Sequence, residues 1–369
     1  MKKILWPPKN EQSSGAAYLP ALDGLRGLAI LLVIQYHIFS FPFISKFTWI
    51  GVDLFFVLSG FLITGILVRT RESKHFFKNF YGRRVLRIMP VYFLSLILLL
   101  YVIPHLFTYP FDMAYFLEHQ AWFWLEVQNW LFIFKPEGNN NFLNHFWTLG
   151  LEEQFYLVSP WIIFFIKTPQ KILSFLLCLI LFLVAARIYV WSLHFENFSY
   201  KNLFSFTRID GLCAGSFLAV MREKHELKLS RMNFGIAIFL ASIIFLALPL
   251  YKTLSPTGIP FTACCVFPFV SVLLAIIVNE TVKAQSWVHS LLRLRFMIFF
   301  GRISYGLYIF HWPVYVLLSR GQPISIGQFG FQGTELIRSI AATVISIVLA
   351  TISYIGFEQY FLRLKKYFV

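Results

Sequence analysis

The stretch Leu22-Asp23-Gly24-Leu25-Arg26-Gly27-Leu28-Ala29-Ile30-Leu31-Leu32-Val33-Ile34-Gln35-Tyr36-His37 sets an apolar run between an arginine and a histidine. The run continues to residue 45, long enough as a helix to cross a hydrocarbon core of roughly 30 Å. On a helix axis Arg26 and His37 stand about 16 Å apart. Similar runs recur along the chain, over 49–68, 89–107, 147–166, 172–193, 207–221, 232–250, 260–278, 303–320 and 335–357. Each is bounded by Lys/Arg clusters or Pro/Gly turns. The 369 residues are 58% hydrophobic and only 13% charged, against roughly 25% charged in ordinary soluble domains. Backbone polar groups in lipid must be satisfied within their own segment, so these runs are helices. The sequence predicts an all-α integral membrane protein, a bundle of about ten transmembrane helices.

The formal charge of +15 raises nucleic acid as a partner, and the placement of the charges excludes it, because they form no single soluble face. With the N-terminus cytoplasmic, the segments on that side hold 24 of the 32 Lys and Arg residues. This is the positive-inside pattern, and an even span number puts the C-terminus there too. Two prolines and Asn10-Glu11-Gln12-Ser13-Ser14-Gly15 stand where a signal peptide needs its apolar stretch, so no cleaved leader is expected. Cys178, Cys213, Cys264 and Cys265 lie in apolar runs without metal-ligand spacing and read as packing residues; no metal site is expected. The longest external connection, 108–146, carries Trp122–Phe134, which reads as an interfacial or re-entrant helix, and then a turn-rich Gly138-Asn139-Asn140-Asn141. Residues 1–369 read as one membrane domain.

Charge inside a membrane costs at least about 2.5–3.5 kcal/mol per residue, so each such residue needs a partner or a task. The second run opens Gly51-Val52-Asp53-Leu54, and a short turn would return Asp53 to the level of His37. A carboxylate there would fix the imidazole tautomer for a general base; the plainer alternative is a structural hydrogen bond. In Phe80-Tyr81-Gly82-Arg83-Arg84-Val85-Leu86-Arg87, read as an inner loop, the spacing sets Arg83 and Arg87 on one helical face with Arg84 beside them. Clustered guanidiniums at a membrane entrance suit phosphates. Arg69, Arg71, Lys74 and Lys78 read as orientation signals. The fourth run carries Trp147-Thr148-Leu149-Gly150-Leu151-Glu152-Glu153-Gln154-Phe155-Tyr156. Three adjacent polar groups cannot face one neighbour, so Glu152, Glu153 and Gln154 are expected to line a wet cavity. Arg208 with Asp210, and His311 in Gly301-Arg302-Ile303-Ser304-Tyr305-Gly306-Leu307-Tyr308-Ile309-Phe310-His311-Trp312-Pro313, read equally as structural partners or ligand contacts. Arg187, Glu335 and Arg338 read as structural or interfacial.

Five blocks in this order, Arg26-x10-His37, Gly51–Thr64, Arg83–Pro90, Trp147–Tyr156 and Gly301–Pro313, make the chain resemble the acyltransferase 3 family of bacterial membrane O-acyltransferases, which includes lipopolysaccharide O-antigen O-acetyltransferases. The resemblance spans essentially the whole chain. It implies an acyl-CoA donor, usually acetyl-CoA, reached from the cytoplasm as a substrate rather than a resident cofactor. It also implies a sugar hydroxyl of a surface glycan or lipid-linked precursor as acceptor, and the bacterial inner membrane as location. By the same resemblance His37 is catalytic, and Arg26, Arg83, Arg84 and Arg87 are functional, at the CoA phosphates. Asp53, Glu152 and Glu153 join His37 as catalytic candidates, and Trp147, Gln154, Tyr156, Arg208, Asp210, Tyr305 and His311 as acceptor-binding candidates. Thr148 and Gly150 depart from the family's usual fourth-span pattern, which bears on acceptor fit. Many relatives carry a C-terminal extracytoplasmic hydrolase-like domain, and none is expected in these residues. Direct base catalysis and an acyl-histidine relay both fit. The competing class is a glycan or lipid exporter, which would be expected to show two related halves; none is visible, and the charged motifs gather in the first four runs. A membrane scaffold with an inactive site is the third reading.

Overall fold

The computed structural model describes residues 19–39, 45–106, 113–135, 142–192, 208–224, 267–319 and 333–368, and among these there is no strand. The long helices are α1 (Pro20–Ile34), α2 (Ile50–Thr70) and α3 (Phe76–Ile97). They are followed by short α4 (Ala114–Glu118), α5 (Gln120–Trp124) and α6 (Gln128–Phe134), then α7 (Trp147–Phe165), α8 (Pro169–Ser192) and α9 (Asp210–Lys224). The chain continues through α10 (Phe267–Val282), α11 (Trp287–Leu292), α12 (Arg295–Leu318), α13 (Gly333–Ser353) and α14 (Gln359–Leu364). Among the described residues five helices are long and apolar enough to cross a membrane: Pro20–Phe39, Ile50–Thr70, Phe76–Leu106, Pro169–Val190 and Glu335–Tyr367. The expected run at 232–250, part of that at 260–278 and the Gly138–Asn141 turn lie outside the described residues.

Helix starts differ from the sequence reading. Pro20 occupies the first helical turn of α1, where its missing N–H is no loss and its φ suits a helix. Arg26 is therefore inside the helix. Likewise α3 starts at Phe76, so Arg83, Arg84 and Arg87 sit on an early part of a helix instead of in a loop; Arg and Lys are good helix formers. Three helices contain or end in a π-helical turn, at Gln35–Phe39, Leu98–Val102 and Tyr354–Glu358, and the first of these carries His37.

Two seams set the frame. Along α1 and α12 the backbones touch: a Cβ at Gly27 would lie 2.1 Å from the Met297 carbonyl oxygen, and one at Gly301 1.7 Å from that of Asp23. Along α2 and α9, a Cβ at Gly60 would lie 2.0 Å from the Leu212 carbonyl oxygen. No side chain fits at such contacts, which small residues permit between membrane helices. The largest buried cluster joins α1, α3, α5, α6, α7 and α12 through Ile30, Tyr92, Phe123, Phe132, Leu149 and Leu307. Ile337, Val344, Val348 and Ile352 on α13 and Leu177 and Leu181 on α8 are exposed. Exposed apolar stripes at helical spacing suit contact with lipid. Cys213 is buried, as expected for a packing residue, whereas Cys178 is exposed on α8.

Candidate active site

Helix α2 divides the polar residues of the bundle between its two faces. Asp53, Val57, Gly60 and Thr64, spaced four, three and four apart, face α9. Thr64 Oγ1 lies 2.8 Å from Ser216 Oγ there, and Asp53 Oδ1 accepts from Arg208 Nη2 at 3.3 Å. Arg187 Nη2 reaches Asp210 Oδ2 at 3.2 Å. These four charged residues are buried, and the Arg208 guanidinium also lies 4.0 Å over the Phe267 ring and 5.6 Å over Trp147. Asp53 thus pairs with Arg208 and not with His37 as expected, because its face of α2 belongs to the α9 seam. Arg208 and Asp210 do not pair with each other either: two residues apart at a helix start, they project to different sides. Arg69 pairs with Glu223, and Arg71 donates to the Lys167 carbonyl.

The opposite face of α2 presents Val52, Phe55, Ser59 and Leu62 to a cavity of about 100 Å³. Its walls include Arg26 of α1, Arg84 and Arg87 of α3, Thr148, Glu152, Glu153 and Tyr156 of α7, and Tyr305 and Tyr308 of α12. Ser59 Oγ donates to Glu152 Oε1 at 2.9 Å, and the Tyr156 hydroxyl lies 3.2 Å from Glu152 Oε2. Arg84 lies 5.5 Å over the Tyr156 ring, and Arg26 holds Asp23 at 3.2 Å. The Tyr305 hydroxyl donates to the Ile88 carbonyl at 3.0 Å, tying α12 to α3. Arg84 and Arg87, three apart, share the cavity face, while Arg83 donates through Nε to the Phe368 carbonyl at 2.6 Å. The expected Arg83/Arg87 pairing on one face is replaced by Arg84/Arg87. Gln154 donates to Asn129 Oδ1 at 2.8 Å, and Trp147 covers Arg208 and Phe56; neither lines the cavity.

His37 stands at the other end of α1, beyond Tyr308 and His311 as seen from the cavity. Its Nδ1 lies 3.2 Å from Nε2 of His311, and the His311 ring stands 5.2 Å from that of His145. Tautomers follow from the hydrogen bonds. His311 Nδ1 lies 2.7 Å from the Tyr308 carbonyl and 3.2 Å from that of Leu307; carbonyls only accept, so this nitrogen carries the proton. Neutral His311 then offers Nε2 as an acceptor, and His37 Nδ1 must be the donor. A ring N–H of His37 also donates to the Val33 backbone; with the proton on Nδ1, Nε2 keeps its lone pair. His37 is only partly buried, whereas His145 and His311 are fully enclosed. A neutral, oriented, reachable imidazole with a free lone pair is what a general base or nucleophile requires. Among the described residues no three His, Cys, Asp or Glu side chains are grouped to hold a metal ion.

A sequence-family profile described as an acyltransferase domain matches residues 19–355. The chain belongs to the acyltransferase 3 family. Among curated relatives, YrhL of Bacillus subtilis strain 168, provisionally named a peptidoglycan O-acetyltransferase, is 29% identical over 93% of this chain and 54% of its own length. The peptidoglycan O-acetyltransferase OatA of Listeria monocytogenes is 28% identical over 81% of this chain and 50% of its own. A Staphylococcus aureus strain COL protein, provisionally named an O-acetyltransferase, is 28% identical over 80% and 50%. The chain therefore spans about half the length of the curated relatives it matches. No solved structure matches.

The candidate site contains residues that sequence reasoning did not single out. Ser59 and Tyr308 lay inside the quoted blocks; the Tyr308 hydroxyl is 2.6 Å from Oγ1 of Thr148, the residue read as bearing on acceptor fit, on the cavity wall. Glu126 lay outside every block. It joins α5 to α6 at φ 56, a left-handed conformation that costs a residue with a side chain about 1 kcal/mol or more. Glu126 is buried with neither carboxylate oxygen hydrogen-bonded, and burial pushes its carboxyl up to about 8. Its carbonyl oxygen would lie 2.7 Å from a Cβ at Gly150, one helical turn before Glu153, whose charge Glu126 opposes. An apolar neighbourhood around an acidic residue between two aromatic segments was the available signal.

Proposed function

We propose that the chain is the membrane-embedded unit of an O-acetyltransferase, moving an acetyl group from cytoplasmic acyl-CoA to a hydroxyl of a cell-envelope glycan. The observation that carries this reading is the cavity that gathers Arg26, Arg84 and Arg87 beside Ser59, Glu152 and Tyr156. Guanidiniums bind phosphates in charge-assisted, often bidentate hydrogen bonds, and the nucleotide end of CoA is their natural partner. At about 100 Å³ the cavity holds only a few waters, so the donor's bulk stays outside the basic end and its narrow arm enters. The acyl carbon then travels towards His37, whose Nε2 takes the acceptor hydroxyl's proton; such assistance contributes roughly 10²–10⁴-fold in rate. His311 supplies the orientation first assigned to Asp53. The proton passes in the end to the CoA thiolate as the thioester breaks, which balances the transfer.

The remaining expectations join this proposal: a bundle of about ten spans in the bacterial inner membrane, both ends of the described chain on the cytoplasmic side, and Glu152 and Glu153 acting on the acceptor or on protons. Relatives named for peptidoglycan make that polymer the first acceptor to test and O-antigen the second. The experiment measures ester-linked acetate released by mild alkali from each purified glycan. It compares cells with the protein, cells without it, and cells carrying His37→Ala at equal membrane abundance. Loss of ester from one glycan in both deficient strains supports acyl transfer and names the acceptor. Unchanged ester with altered glycan export would instead mark a transporter.

A further inference from the structure

The last helix and the turn after it lie beyond the residues matched by the family profile, which ends at 355. They are nonetheless fixed against the basic end of α3. The Phe368 ring fills a notch at Gly82, where a Cβ would lie 2.1 Å from the ring, and the Phe368 carbonyl accepts from Arg83 Nε at 2.6 Å. This docking holds the single turn Lys365–Tyr367 over the arginines and leaves Lys365 partly exposed. Lys365 is set among cations, with the charges of Arg87, Arg84, Arg26 and Arg83 acting on it besides its burial.

The nearby carboxylates have partners of their own: Asp23 with Arg26, Glu152 with Ser59, and Glu358 with Ser353 at 3.2 Å, while Glu153 faces Arg84 and Glu358 also faces Arg87. Lys365 has no hydrogen-bond or carboxylate partner among the described residues. A polyanion bound there would offset the repulsion between Lys365 and the four arginines and hold its ammonium charged at the edge of water. We propose that residues 359–368 form a wall of the donor site, and that Lys365 binds a phosphate at the nucleotide end of acyl-CoA. This rests on the donor reading above and adds to it a residue that the family match does not reach.

The test is equilibrium binding to the full chain in nanodiscs, with coenzyme A, 3′-dephospho-coenzyme A and pantetheine as probes. The wild-type protein is expected to bind coenzyme A at least tenfold more tightly than pantetheine. Lys365→Gln should lose about tenfold for coenzyme A and nothing for pantetheine, and Lys365→Arg should keep the affinity. Phe368→Ala, which undocks the turn without touching a charge, should reproduce the Gln loss. If the Gln variant weakens coenzyme A but not its 3′-dephospho form, the phosphate held is the 3′ one; equal weakening of both places Lys365 on the diphosphate. A Gln variant that binds coenzyme A as tightly as the wild type overturns the proposal while leaving the donor reading standing. So does an equal loss for pantetheine, which would mark damage to the fold. A wild-type protein that fails to distinguish coenzyme A from pantetheine overturns both.

Discussion

Helix α2 carries two clusters of intramembrane charge, one on each face, and they are built to opposite plans. On the α9 side Asp53, Arg208, Arg187 and Asp210 are two acids and two bases, buried and paired at 3.2–3.3 Å with aromatic rings over Arg208. On the α7 side Arg26, Arg84 and Arg87 border open space, and the acids there are held by hydroxyls of Ser59 and Tyr156. Balanced charge without room makes an internal strut. Cations around a void make a place for an anion. Buried charge by itself does not separate the two; the void does, with Arg84 and Arg87 on its wall in no ion pair among the described residues.

The sharpest way to break this contrast lies at the histidine end. His37→Ala should lower acetyl transfer roughly 10²–10⁴-fold without changing the unfolding temperature, measured as ester formed per folded molecule. Next comes the strut. Arg208→Met leaves Asp53 buried and uncompensated, at a cost of about 3–5 kcal/mol. Thermal unfolding in detergent should show it, and a second change, Asp53→Asn, should restore much of the loss. Activity lost with stability intact would return Asp53 to the catalytic group. A smaller effect is expected at His311→Ala, which removes one neutral hydrogen bond of about 1 kcal/mol from His37 and should slow transfer about fivefold with donor affinity unchanged.

A further expected effect concerns pH. The Glu126 carboxyl, pushed up to about 8 from an ordinary value near 4.5, takes up a proton on folding. Its stabilising contribution is present below pH 4.5 and is lost as pH rises through 8. Glu126→Gln cannot ionise, so it should unfold several degrees above the wild type at pH 9 and near the wild type at pH 5. A variant less stable than the wild type at pH 9 would mean that the carboxylate has a partner there.

Much of the architecture was legible because lipid leaves few options. Apolar run length and Lys/Arg placement pointed to a helical membrane protein, and the blocks around Arg26, His37, Arg84, Glu152 and His311 marked the elements that meet. What failed was the pairing across helices. Level along the membrane suggested Asp53 for His37, whereas the face of α2 decides. Asp53 and Ser59 are six residues apart, about 120° around the helix, so they turn towards different neighbours. That angle was available in the sequence, but which neighbour each face would meet was not, since it depends on the glycine contact of Gly60 with Leu212. Glu126 and Lys365 escaped for a different reason: each takes its meaning from residues distant in the chain, Glu153 for one and the α3 arginines for the other.

Arg26 and His37 belong to one continuous helix, anchored along its first half by backbone contact at Gly27. The interval between the anion-facing end and the imidazole is therefore a fixed gauge of about 16 Å, which no loop movement can alter. On the proposed mechanism, a donor whose reactive carbon lies too near its charged head would fall short of the imidazole, and one too long would have to buckle. The π-helical turn at Gln35–Phe39 is the graduation mark on that scale: a local return to α-helical winding would rotate His37 and reset the length that the protein accepts.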